Sequence, residues 1–133
     1  MSDILNTGIT NVKNPSRYIF GEGAINKLKS LLDIRKSNKS SKAIIFIDHF
    51  FEKQKSFINS LNFDSSDHLF FISTINEPTT EYVDQLVGKV KKIVEEPCAI
   101  VGIGGGSTLD ISKAVSNLLT NTGKAEDYQG WDL

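Results

Sequence analysis

Gly102 to Lys113 reads GIGGGSTLDISK, a combination of residue types that can hold a charged ligand. Gly104, Gly105 and Gly106 are consecutive, where a tight turn would need a single glycine. Without Cβ atoms, backbone N–H groups can approach a ligand closely. Ser107 opens an amphipathic pattern, and a helix beginning there adds partial positive charge from its amino end. A phosphate or pyrophosphate suits such a turn. Ser107 and Asp110 also have the S-x-x-D spacing of a capping box, in which each side chain serves a backbone donor near the other. Asp110 is therefore a cap or a ligand contact, and capping alone leaves the glycines unexplained.

Two familiar phosphate motifs do not fit. A P-loop would end in Gly-Lys-Ser or Gly-Lys-Thr, and the first lysine here is Lys113, well inside the helix. The G-x-G-x-x-G fingerprint would place glycine where Ser107 stands and an acid about twenty residues later. The acid that ends a strand in this chain, Asp48, precedes the glycines.

The elements that must position these residues follow from hydrophobic spacing. Ala43–Ile47 is a β-branched and aromatic run that reads as a strand buried on both faces and stopping at Asp48. His68–Ser73 and Ala99–Val101 are two more apolar strands. Between them, Ile25, Leu28, Leu31 and Leu32 have helical spacing, and a helix is predicted over Phe50–Leu61. A turn at Pro78 and a threonine cap start another helix, with Val83, Leu86, Val87, Val90, Ile93 and Val94 on one face. Arg17–Phe20 reads as a short extended segment closed by Gly21, and the basic stretch Arg35–Lys42 as a solvated loop or a phosphate-seeking patch. Alternating strands and helices predict a Rossmann-like α/β fold, an open parallel sheet with helices on both faces. In such sheets ligands bind outside the carboxyl ends of the strands, where the glycine turn lies.

The 133 residues fit one domain, and 39% apolar with 23% charged residues is globular composition. A net charge of −1 provides no basic footprint for nucleic acid. No apolar run is long enough to cross a membrane, and the N-terminus lacks the pattern of a secretory signal. Cys98, the one cysteine, sits in an apolar strand as a small hydrophobe, and a cytoplasmic location is expected.

GIGGGSTLDISKAVS resembles the GGGSxxDxxK signature of the iron-containing (group III) alcohol dehydrogenases. RYIFGEGAINKL is similar to that family's N-terminal strand and FG-x-G turn. IFIDHF is similar to its first nucleotide-binding strand, NEPTTEYVD to the loop beside the adenosine, and LLTNTGKAEDY to the continuation after the helix. The stretch YQGWDL resembles the 3-deoxy-manno-octulosonate 8-oxidase branch.

The resemblance implies an N-terminal NAD(P)-binding domain over residues 1–133. Gly104, Gly105, Gly106 and Ser107 would hold the pyrophosphate, and Asp48 would face the adenosine ribose. A carboxylate there accepts from a 2′-hydroxyl and repels a 2′-phosphate, favouring NAD over NADP. Pro78 and Thr79 would border the adenine, and Asp110 and Lys113 would lie towards the nicotinamide ribose. The family's helical metal-binding domain, with its aspartate and histidine ligands for iron or zinc, is expected to be missing from this chain. Its two histidines, His49 and His68, form no ligand cluster. No catalytic residue and no metal ligand is therefore assigned to the chain. The implied substrate is a small alcohol or aldehyde, and a homodimer is one assembly the resemblance admits. The alternatives are a stand-alone nucleotide-binding module that does not catalyse, and a relative of glycerol dehydrogenase or dehydroquinate synthase.

Overall fold

Alternate residues of the central strand feed two different hydrophobic layers, and that alternation organises the molecule. The computed structural model describes residues 15–38 and 40–129. Strand β1 (Ala43–Asp48) lies between β2 (His68–Ile72) and β3 (Ala99–Ile103), and both pairings are parallel. Asp48 stands opposite Ile72, and Ile47 opposite Ile103, so the strands' carboxyl ends share one rim.

Helix α1 (Leu28–Arg35) and the short α2 (Lys55–Ser60) cover one face. There Ala43, Ile45 and Ile47 pack with Leu32 and Leu61. Helices α3 (Thr80–Ile93) and α4 (Gly106–Thr120) cover the other. Their Val83, Leu86, Val90, Ile111, Val115 and Leu118 pack on Ile44, Phe46 and Ile72. This is the predicted open parallel sheet with helices on both faces. No helix among the described residues is long and apolar enough to cross a membrane.

Three local expectations change. Arg17–Phe20 joins no strand pair; Tyr18 and Phe20 stack on each other instead, with Phe20 88% exposed. The helix predicted over Phe50–Leu61 is interrupted. Asp48 caps a 3-10 turn at His49–Phe51, and α2 starts only at Lys55. Nor is the basic stretch simply solvated, because Lys36 is 10% exposed. Its Nζ donates to Asp64 at 2.6 Å and to both oxygens of Asp67 at 2.7 and 2.8 Å. Asp67, only 1% exposed, also accepts the N–H of Ala43 at 3.0 Å. Nearby, Cys98 packs in the layer beneath α1 and α2, and its N–H donates to the Lys42 carbonyl. Burial pushes its thiol pKa up, while Lys36 pulls it down and Asp67 raises it.

Candidate functional site

The glycines of the turn do different jobs. A Cβ on Gly102 would stand 2.6 Å from Ser112 Oγ, so glycine there lets α4 lie close against β3. Gly104 has φ +156°, and its Cβ would stand 2.8 Å from Thr108 Oγ1 and 3.0 Å from Asp48 Cβ. Around Gly105 and Gly106 nothing lies within 4 Å of such an atom. Two glycines thus serve packing, and the next two leave backbone open to solvent.

Helix α4 begins one residue before the predicted start, with Gly105 as its N-cap and no side-chain cap. The first internal bond is Leu109 N–H to the Gly105 carbonyl at 3.1 Å, so the earlier N–H groups have no helical acceptor. The expected capping box is absent because Ser107 falls inside the first turn, past the cap position. Asp110 is exposed and, among the described residues, meets only Lys113, also exposed, at 3.3 Å. An uncapped amino end beside open glycines is a donor array facing outwards.

Asp48 lies next to this turn. Its Oδ1 accepts the Phe50 N–H at 2.8 Å, and its Oδ2 accepts the hydroxyls of Thr74 at 3.0 Å and Thr108 at 3.4 Å. His49 Nδ1 stands 3.5 Å from Oδ1, and 16% of the Asp48 side chain remains exposed. The Phe50 N–H holds the carboxyl below the usual range against the opposing effect of burial; Thr74, His49 and Thr108 help. Asp48 joins the end of β1, the segment after β2 and the first turn of α4. A shallow depression of about 320 Å3 is lined by Asp48, Phe50, Phe51, Gly104 and Gly105.

The other predicted residues stand apart from it. Thr79 caps α3, accepting the Tyr82 N–H at 3.2 Å as the sequence suggested. With Pro78 it lines a larger cavity of about 540 Å3 against Asn117, Leu118 and Tyr128. Lys113 borders a groove with Gly102 and Ser112. Sequence reasoning missed Thr74 and Thr108, whose partner is distant in the chain. It also missed the packing role of Gly102, which an isolated glycine inside a strand can signal. Among the described residues, no three His, Cys, Asp or Glu side chains come together to hold a metal.

The sequence pattern of iron-containing alcohol dehydrogenases matches residues 15–133. The chain belongs to that family. It is 38% identical over 114 residues to a glycerol dehydrogenase of Thermotoga maritima, covering 81% of this chain and 28% of the relative. It is 30% identical over 103 residues to an alcohol dehydrogenase of Thermococcus barophilus, covering 75% and 25%. An NAD-dependent methanol dehydrogenase of Bacillus methanolicus is 29% identical over 126 residues, covering 92% and 32%. The chain thus spans between 25% and 32% of these family members' lengths.

Proposed function

We propose that this chain is the nucleotide-binding part of an NAD-linked dehydrogenase acting on a small alcohol or aldehyde in the cytoplasm. The observation that carries the reading is the uncapped amino end of α4 beside Gly105 and Gly106, with Asp48 next to it. The open N–H groups would receive the pyrophosphate, and the helix end favours its negative charge. Asp48 would accept from the adenosine ribose and disfavour a 2′-phosphate, which selects NAD over NADP. NAD, when bound, supplies the hydride acceptor. The residues of this chain bind and orient it. A catalytic iron or zinc would be held by other parts of the whole enzyme, and the residues described here do not form a site for it.

The test is an NMR titration of the chain with ADP and NAD. The pyrophosphate contacts lie within the chain, whereas on the nicotinamide half our reading gives it only the exposed Asp110 and Lys113. ADP should therefore bind nearly as well as NAD, with a dissociation constant on the order of 0.1–1 mM. Amide shifts should centre on Gly105, Gly106 and Ser107. An unshifted glycine turn at saturating ADP would sink the proposal.

A further inference from the structure

Each carboxylate oxygen offers about two acceptor positions, and at Asp48 they can be counted. Oδ2 takes the hydroxyls of Thr74 and Thr108. Thr108 is fully buried, and among the described residues its hydroxyl has only this partner. A buried hydroxyl without a partner would be costly, so this contact, although long at 3.4 Å, turns the Thr108 hydroxyl towards the carboxylate. Among the described residues Oδ1 takes the Phe50 N–H and keeps one position, with His49 Nδ1 3.5 Å away, and 16% of the side chain remains exposed. Thr74 and Thr108 come from different segments and meet on Oδ2, and with the Phe50 N–H on Oδ1 they hold the plane of the carboxylate as well as its place.

We infer that Thr74 and Thr108 are positioning residues that leave Asp48 a single free acceptor site, so that it reads one hydroxyl of a bound ribose and not two. The inference rests on the nucleotide reading above and narrows it. A ribose presents two neighbouring hydroxyls, and an unencumbered carboxylate can accept both, one on each oxygen. Here the second oxygen is already filled from inside the protein.

The experiment compares ADP, 2′-deoxy-ADP and 3′-deoxy-ADP binding to the chain, with the Asp48 carboxyl titrated by carbon NMR. One deoxy analogue should bind about tenfold more weakly than ADP and the other within about twofold. Thr74→Val and Thr108→Val should each raise the Asp48 pKa, because each removes a donor to the charged form. They should also shrink the gap between the analogues to below about threefold, as the carboxylate is freed to turn. Thr74→Ser and Thr108→Ser should restore both properties, which a general packing defect would not allow. Thr74 is only partly buried, so its variants carry the test if Thr108→Val does not fold. Equal losses for the two analogues, equal indifference to both, or an Asp48 pKa unmoved by the valine variants would overturn the inference while ADP still shifts the Gly105 and Gly106 amides. Absence of those amide shifts would overturn the nucleotide reading and this inference together.

Discussion

The two ends of β1 each carry a carboxylate tied to several segments, yet the two rims are finished in opposite ways. At the amino rim, Asp67 holds the start of β1 through the Ala43 N–H and meets Lys36, which also reaches Asp64. Charge there is answered by charge, with Lys36 and Asp67 almost entirely covered and Asp64 40% exposed. At the carboxyl rim, Asp48 is answered by two hydroxyls and a backbone N–H. Its charge is held chiefly by neutral donors, with His49 Nδ1 3.5 Å away, and the adjoining Gly105 and Gly106 stay open. The amino rim is a clamp. The carboxyl rim keeps unspent donors and one carboxylate position for something else to use.

The strongest way to break that contrast is Asp67→Ala. It leaves Lys36 with Asp64 alone and takes the acceptor from the N–H groups of Ala43 and Asp64, and should cost about 2–4 kcal/mol in chemical denaturation. A loss no larger than that of an ordinary surface change would show the clamp to be ornamental. Next comes the pair Gly104→Ala and Gly105→Ala. The first forces a methyl group against Thr108 and Asp48 from a positive φ, at a cost of about 1–3 kcal/mol. The second meets nothing and should leave stability within about 0.5 kcal/mol. If it denies a phosphate one backbone donor, it should weaken ADP about tenfold in an NMR titration. Equal behaviour of the two variants would erase the distinction between packing and open glycines.

Acid tests both rims. The Lys36 and Lys29 hydrogen bonds hold Asp64 down to about 2, and the Phe50 N–H holds Asp48 below its ordinary value. Both carboxyls are more acidic folded than unfolded. Their stabilisation is therefore complete above the unfolded pKa of about 4 and lost as pH falls towards the folded values. Denaturation midpoints measured from pH 6 to pH 2 should begin to fall near pH 4. Asp64→Asn should flatten that decline, and an unchanged profile would remove Asp64 from the clamp. The smallest effect belongs to Asp110→Ala. It breaks only an exposed pair with Lys113, and the thermal midpoint should not move measurably. A clear drop would mean that Asp110 holds the helix end after all.

Local sequence carried the strands and the glycine turn because their signals are local. Ala43–Ile47 is apolar at every position, and the spacing of Val83, Leu86 and Val90 follows the helical period. The capping box failed by a shift of register: spacing cannot tell whether Ser107 is the cap or lies beyond it. Lys36 looked like one charge among several in a polar run. Its partners Asp64 and Asp67 lie 28 and 31 residues away, and only the folded sheet brings them to it. The same holds for Thr108, which meets Asp48 across 60 residues. Asp48 itself was legible as the acid ending a strand, but its tethering was not.

Cys98 gives the amino rim a built-in reporter. The thiolate is the form that reacts with disulfide reagents, and burial keeps this thiol protonated in the closed protein. Its pKa also feels Lys36 and Asp67, the two partners at the centre of the clamp. The residue is half-buried, so its reactivity follows how firmly the clamp holds the surroundings of the sulfur. Comparing the labelling rate of the unmodified chain with that of Asp67→Ala therefore reports on the clamp. Movements confined to the glycine turn, at the other end of the strands, go unregistered.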